Sequence, residues 1–486
     1  MSRRFFFTKT KPGKPKGELA WNRVLSLPED CNNIIPNLKN SFETILKSRW
    51  NQSSSPNLLA TGQLRKTLRS LEHGFLFRKD DPNSLLAKLR LCHQIYVELN
   101  LSAEACLSVA RFDAIGIEQK GSAYAMAAFA HQMDWNLEKA EELASRSLGI
   151  DDTNLWAILT LTEIYEKQGR YREGLRLLRE LEDTWLDSPL EKVMMGRKYF
   201  FLFELAALGA IDECLRCYDA CVETPLMFEE GLLWSNWVRN DSAALVWRVN
   251  LSGLSKEKEL MKNNPIYGFP FSDTIRAEKL IKHELKRVNF KRSASDGVFF
   301  TLAMLAAGST QEQILESVNF LSKEDFENGE ALSQNHDTNE EDQLFIFNPG
   351  NIKENDVLLQ IEEVGKPIVM ALSYLADEKH DVLALRSLLN VRSKFNRIGG
   401  LESTRDTLDQ TLLVHALRCA RKNREFTRYA YFLSLERLLK RPCSPQNWIW
   451  HGEILELSSD FSGAEAAHAK AMDLVMGKGG RIPSTE

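Results

Sequence analysis

The sequence predicts an all-α chain: an α-solenoid of antiparallel helix pairs with an irregular, partly disordered middle insertion. Small residues recur at Ala105, Ala140, Gly174 and Cys214, at spacings of 35, 34 and 40, and again at Ala430 and Ala464, 34 apart. Between these beats the apolar residues fall at i, i+3, i+4 and i+7, the stripe of an amphipathic helix. Between about residues 250 and 355 the pattern stops. A period near 34 residues implies helix pairs that cannot each bury an apolar face alone, so that neighbouring pairs stack.

Taken in order, residues 1–81 form a variable, basic N-terminal region without repeats. Arg3, Arg4, Lys9, Lys11, Lys14 and Lys16 precede the first acidic residue, Glu18. No apolar run of export-signal length follows them, so a frayed basic tail is expected in preference to a signal or transit peptide. Repeats are expected over 82–248. The stretch Leu155 to Ser188 shows their logic best: Ile158, Leu161, Thr162 and Tyr165 make one apolar face, and Gly169 supplies the turn. Tyr171 packs the corner, Gly174 marks a close helix approach, and Leu175, Leu177, Leu178 and Leu181 line the second helix. The unit before it, from Gly121 to Asn154, places Ala128 and Ala140 at the crossing, and an earlier one runs from Leu86 to Lys120. The fourth unit is expected to have a first helix about two turns longer, reaching Leu208 before Gly209 to Cys214 resume the frame.

The insertion spans 249–355. It holds two apolar helical segments, around Ile275 to Val288 and Val298 to Leu321, and an acidic tract from Lys323 to Gln343 that is expected to be disordered. Repeats resume over 356–476, where Trp448, Gly452, Phe461, Ala464 and Ala471 alternate large and small, and 477–486 is a tail. The helix-pair frame throughout is TPR-like (tetratricopeptide-like).

Two stretches resemble one family more closely. Asn83 to Val222, including Glu138 to Ala144, and Val357 to Ile449 are similar to the tetratricopeptide repeat protein 38 family. The most specific part is Ile398-Gly399-Gly400-Leu401-Glu402-Ser403-Thr404-Arg405-Asp406, followed by Asp409 to Leu417. Together they cover roughly half the 486 residues. The resemblance implies an all-α repeat protein without a firmly established activity. Similar proteins carry several histidines where this chain has Leu159, Glu163 and Tyr165. Separately, Leu302 to Leu315 looks like the early helical hairpin of serpins, over too short a span to imply inhibition.

Composition narrows the function classes. A net charge of −5 gives no global reason for nucleic acid or an anionic membrane as partner. No apolar run is long enough to span a bilayer. Eight scattered cysteines suit a reducing, cytoplasmic setting, in which the Asn-x-Ser matches at Asn51, Asn100, Asn240 and Asn250 are coincidental.

Chemistry-bearing motifs are sparse. Cys214, Cys217 and Cys221 could hold zinc or exchange disulfides, but they share one helix at small, inward positions and read better as core. His451-x-Glu453 lacks the Pro-Cys-x-x-Cys partner of a zinc deaminase and reads as a packed histidine. The basic run Arg418 to Arg428 reads as a solvated face in preference to a nucleic-acid site. No phosphate loop or nucleophile elbow is present.

The remaining site is the concave groove that the first helix of each TPR pair lines. Its expected residues are Ala125, Phe129, Gln132 and Met133, then Trp156, Leu159, Glu163, Glu166 and Lys167, then Tyr199 and Phe203. Leu159, Thr160 and Glu163 argue against the basic carboxylate clamp of chaperone-binding TPR proteins. The groove suits an amphipathic or basic peptide, unless its aromatic residues simply pack on a neighbouring segment. The expectation is a non-enzymatic scaffold or adaptor that needs no cofactor or metal and binds a peptide or protein partner. The alternative is a cryptic enzyme or small-molecule binder in a closed superhelical cavity, using Glu163, Glu166 and His131.

Overall fold

The computed structural model describes Tyr96 and residues 120–186, 188, 190–206, 210–223, 233–254, 274–285, 293–320, 322 and 356–476. The expected first repeat around Ala105, the basic N-terminal region, the acidic tract and the tail lie outside the described residues. Within them the chain is all-helical, with a repeat-like succession of helices and no strand.

The first run comprises α1 (Lys120–Met133), α2 (Leu137–Ile150), α3 (Leu155–Lys167), α4 (Tyr171–Glu180), the short α5 (Glu182–Trp185), α6 (Glu191–Glu204) and α7 (Ile211–Glu223). Local chemistry sets the boundaries. Asn136 and Asn154 cap α2 and α3 by accepting the Lys139 and Ala157 amides. Gly169 turns α3 into α4 at a φ of 70°, where a β-carbon would also strike Cys443. The small beats are buried: Ala140 and Cys214 are fully covered, and Gly174 leaves room for the ring of Phe201 on α6. Ser147 ties α2 to α1 by donating to the Gly121 carbonyl at 2.7 Å. The expected long helix of the fourth unit ends at Glu204, so α6 is no longer than α1, and Leu208 is not among the described residues.

The middle of the chain departs most from expectation. α8 (Leu233–Leu254) runs unbroken through the expected boundary at 248/249. α9 (Thr274–Leu285) follows, then α10 (Ala294–Ala306) and α11 (Gln311–Ser317). Within the helical segment expected from Val298, Gly308, at a φ of 78°, ends α10, and a Thr310–Gln313 capping box starts α11. Every residue of α10 is buried, and the helix packs between α8 and α13. A helix apolar on most sides belongs in a core, and here it lies between the helices that precede it and those that follow.

The second run is α12 (Asp356–Gln360), a π turn over Ile361–Gly365, α13 (Lys366–Ser373), α14 (Asp381–Val391), α15 (Glu402–Lys422), α16 (Thr427–Lys440), α17 (Pro445–Leu457) and α18 (Phe461–Val475). Ala430 and Ala464 occupy buried positions on α16 and α18. One continuous hydrophobic cluster extends from Phe129 in the first run through α10 to Ile454 in the last. The two runs also meet at their edges, where Arg172 Nη2 donates to the Val475 carbonyl at 3.0 Å. Among the described residues no helix is long and apolar enough to cross a membrane.

Candidate binding groove

The expected groove residues do converge, but their face is covered by the chain itself. Leu159, Glu163, Glu166, Lys167, Tyr199, Phe129, Gln132 and Ala125 are all buried, while Met133, Trp156 and Phe203 are half-buried. The aromatic members pack on one another: Phe129 meets Trp156 edge-on at 5.6 Å, and Trp156 meets Trp237 of α8 at 6.5 Å. An open groove for a peptide is therefore absent at these positions, because α15 lies against α3 and α8.

The polar members form a buried ion-pair network with α15. Glu163 Oε1 accepts Arg197 Nη1 at 2.6 Å and the Ser403 hydroxyl at 3.0 Å. Arg197 also pairs with Asp241 and donates to Ser403 Oγ, while the Thr404 hydroxyl donates to Asp241. Lys167 donates to the Gln132 carbonyl at 2.9 Å and pairs with Glu402. Arg248 donates to Thr407 Oγ1 at 2.9 Å and to the Ser403 carbonyl. Asp406 is clamped by Arg437 and by Arg441 Nε at 3.2 Å, and Arg441 Nη1 reaches Glu166 at 3.3 Å. Arg197 and Arg248 both lie over the Phe200 ring, at 4.9 and 4.6 Å.

Burial and pairing pull these carboxyls in opposite directions. Burial raises Asp241 in spite of Arg197, and raises Glu166 in spite of Arg441. Glu204 is raised by burial as well. For Asp406 burial is outweighed by Arg437 and Arg441, which hold the carboxylate well below its usual range. Glu402 is likewise held low by Lys167, Arg441 and Arg405 against its burial.

Arg197, Asp241, Ser403, Thr404, Asp406, Arg437 and Arg441 were not anticipated as neighbours of Glu163 and Glu166. The one pointer was the Ile398 to Asp406 stretch, which enters α15 through two left-handed glycines, Gly399 and Gly400. His131 does not join the cluster; it sits at the α1–α2 corner, where burial and Lys139 lower its pKa.

The other motifs take structural places. Cys214 Sγ donates to the Tyr199 carbonyl at 3.2 Å, burial pushes its thiol up, and Cys221 is pushed up to about 12. His451 Nδ1 lies 2.8 Å from Ser434 Oγ, and its ring packs against those of Tyr431 and Trp448. In the basic run, Arg418 and Lys422 pair with Asp381, and Arg421 with Glu453. Among the described residues no group of three or more His, Cys, Asp and Glu side chains is arranged to hold a metal ion.

Unsatisfied apolar surface lies on the outside instead. Tyr429, Phe432 and Leu439 on α16 are 53%, 51% and 84% exposed, and their spacing puts them along one face of the helix. Searched against protein-family models, the chain matches none.

Proposed function

We propose that this chain is a non-enzymatic, TPR-like helical-repeat scaffold that binds a protein or peptide partner on its outer surface. The observation that carries the reading is the exposed row Tyr429, Phe432 and Leu439 on a helix whose opposite face is buried. Aromatic side chains exposed in a row are the composition of an interface centre. The inner acid and base groups, in contrast, are paired with one another across five helices. The helix-pair frame and the Ile398 to Asp406 stretch support kinship with the tetratricopeptide repeat protein 38 family, and the scattered free cysteines favour a cytoplasmic setting.

The test compares affinity capture by wild type, by Tyr429→Glu/Phe432→Glu and by Trp156→Ala/Phe129→Ala. A partner set lost only with the outer-surface variant supports the reading. A set unchanged by that variant sinks it.

A second reading, a small-molecule binder enclosed by the repeats, is favoured by one detail. Gly400 is buried, yet among the described residues no atom beyond its chain neighbours lies within 4 Å of where its β-carbon would be. It adjoins the start of α15, whose Leu401 cap offers no side-chain acceptor. Native mass spectrometry of the purified chain tests it: a stoichiometric small ligand supports this reading, and a bare polypeptide mass removes it.

A further inference from the structure

A cleft of about 440 Å³ opens beside α4, lined by Arg172, Leu175, Arg176, Arg179, Glu180 and Leu205. The three arginines stand at i, i+4 and i+7 on the solvent face of α4, whose other face, with Tyr171, Gly174 and Leu178, is buried. Two of them are oriented by the surrounding structure. Arg172 is steered by the Val475 carbonyl at the end of α18, and Arg179 is held by both Glu213 oxygens at 2.8 and 2.9 Å. Arg176, between them, makes no hydrogen bond or ion pair among the described residues. Leu175 and Leu205 give the cleft an apolar floor.

We infer that this cleft docks an acidic peptide segment, with carboxylates on the arginine row and an apolar side chain on Leu175 and Leu205. The inference rests on the scaffold reading and names a second surface for it. The spacing fits: four residues of helix separate Arg172 from Arg176 by about 6 Å along the axis. Alternate side chains of an extended peptide are about 7 Å apart. Guanidinium–carboxylate pairs are the strong, directional kind of hydrogen bond. A nucleic acid fits less well, because three guanidiniums fall short of the ~6 to 10 phosphate contacts a duplex-binding protein makes.

The experiment is fluorescence anisotropy with a capped, labelled peptide Glu-Glu-Leu-Glu-Glu, its Lys-Lys-Leu-Lys-Lys counterpart, and a short single-stranded oligonucleotide. Wild type is expected to bind the acidic peptide in a salt-sensitive manner, and Arg176→Glu to weaken it about tenfold or more. Arg176 is exposed and makes no ion pair among the described residues, so this variant should keep its thermal unfolding curve. No binding of the acidic peptide by wild type, equal binding by Arg176→Glu, or tighter binding of either control would overturn the inference. The Tyr429→Glu/Phe432→Glu variant should still bind the acidic peptide. Peptide binding without any captured partner would fault the scaffold reading alone, and captured partners without peptide binding would fault this inference alone.

Discussion

Arg197→Met tests whether the centre of the molecule is held by charge. Arg197 is fully buried and serves three carboxylates at once, Glu163 at 2.6 Å, Glu166 at 3.5 Å and Asp241 beside them, while its guanidinium lies over Phe200. Methionine keeps much of the volume but leaves Glu163 and Asp241 without their nearest cation. Removing one partner of a buried pair costs about 3 to 5 kcal/mol, so the variant should lose about 4 kcal/mol at neutral pH. The loss should shrink on acidification. Asp241 is already raised by burial, so the folded chain binds its proton more tightly than the unfolded chain does. Stability from such a group is present at acid pH and is lost as pH rises through the folded-state value. Without Arg197 that value moves further up. One carboxyl then returns at most about 1.4 kcal/mol per pH unit as the pH is lowered from about 7 to 5.5.

Urea unfolding followed by circular dichroism at the two pH values provides the measurement. A difference from wild type below about 1 kcal/mol, or one that does not narrow with acid, would mean that water reaches the carboxylates and the network is not buried in solution. Arg197→Met combined with Glu163→Gln and Asp241→Leu should recover most of the loss, because a buried ionic group replaced as a unit is often neutral.

Three further outcomes are expected. Gly174→Ala should cost about 1 to 3 kcal/mol in the same assay, because its β-carbon would overlap the Phe201 ring, and Phe201→Leu should restore most of it. Peptide mapping after brief alkylation of the native chain near pH 8 should find Cys217, which is half-buried, modified ahead of Cys214 and Cys221, whose thiols burial pushes well up. His415 is pushed down to about 4 by burial and Arg418, so it takes up its proton in the unfolded chain first; stability should fall by about 3 kcal/mol as pH drops from about 6.5 to 4, and His415→Phe should flatten that limb of the curve.

What the sequence made legible is what the chain decides locally. The turn at Gly169 and the small beats at Ala140, Gly174, Ala430 and Ala464 follow from spacing within one helix pair, although Gly169 and Gly174 also make room for Cys443 and Phe201 from elsewhere in the chain. The inward face of α3 was legible too, since Leu159, Glu163 and Glu166 follow from helical periodicity. What covers that face was not. Ser403 meets Glu163 across 240 residues, and Thr404 meets Asp241 across 163, and no periodicity encodes such distances. The core position of α10 did have a signal. Apart from Thr301, Val298 to Ala306 is apolar all round, which a solvent-facing insertion would not tolerate.

The same long-range network explains how a repeat-like chain settles on one arrangement. Apolar helix faces alone tolerate sliding, because Leu and Ala side chains fit several registers. α15 is denied that freedom by polar side chains that each need a different neighbour. Glu402 needs Lys167 of α3, Ser403 needs Arg197 of α6, and Thr407 needs Arg248 of α8. Further along, Thr411 accepts the Trp247 indole at 2.8 Å, and Asp406 is clamped from the opposite side by α16. A slip of one turn, about 5.4 Å, would separate all of these pairs together. Each buried group left alone costs about 1 to 3 kcal/mol. The summed penalty exceeds what any alternative apolar contact offers, so the network specifies the register of α15 even where it contributes little net stability. That division of labour accounts for acid–base groups at the centre of the fold without requiring them to act on a substrate.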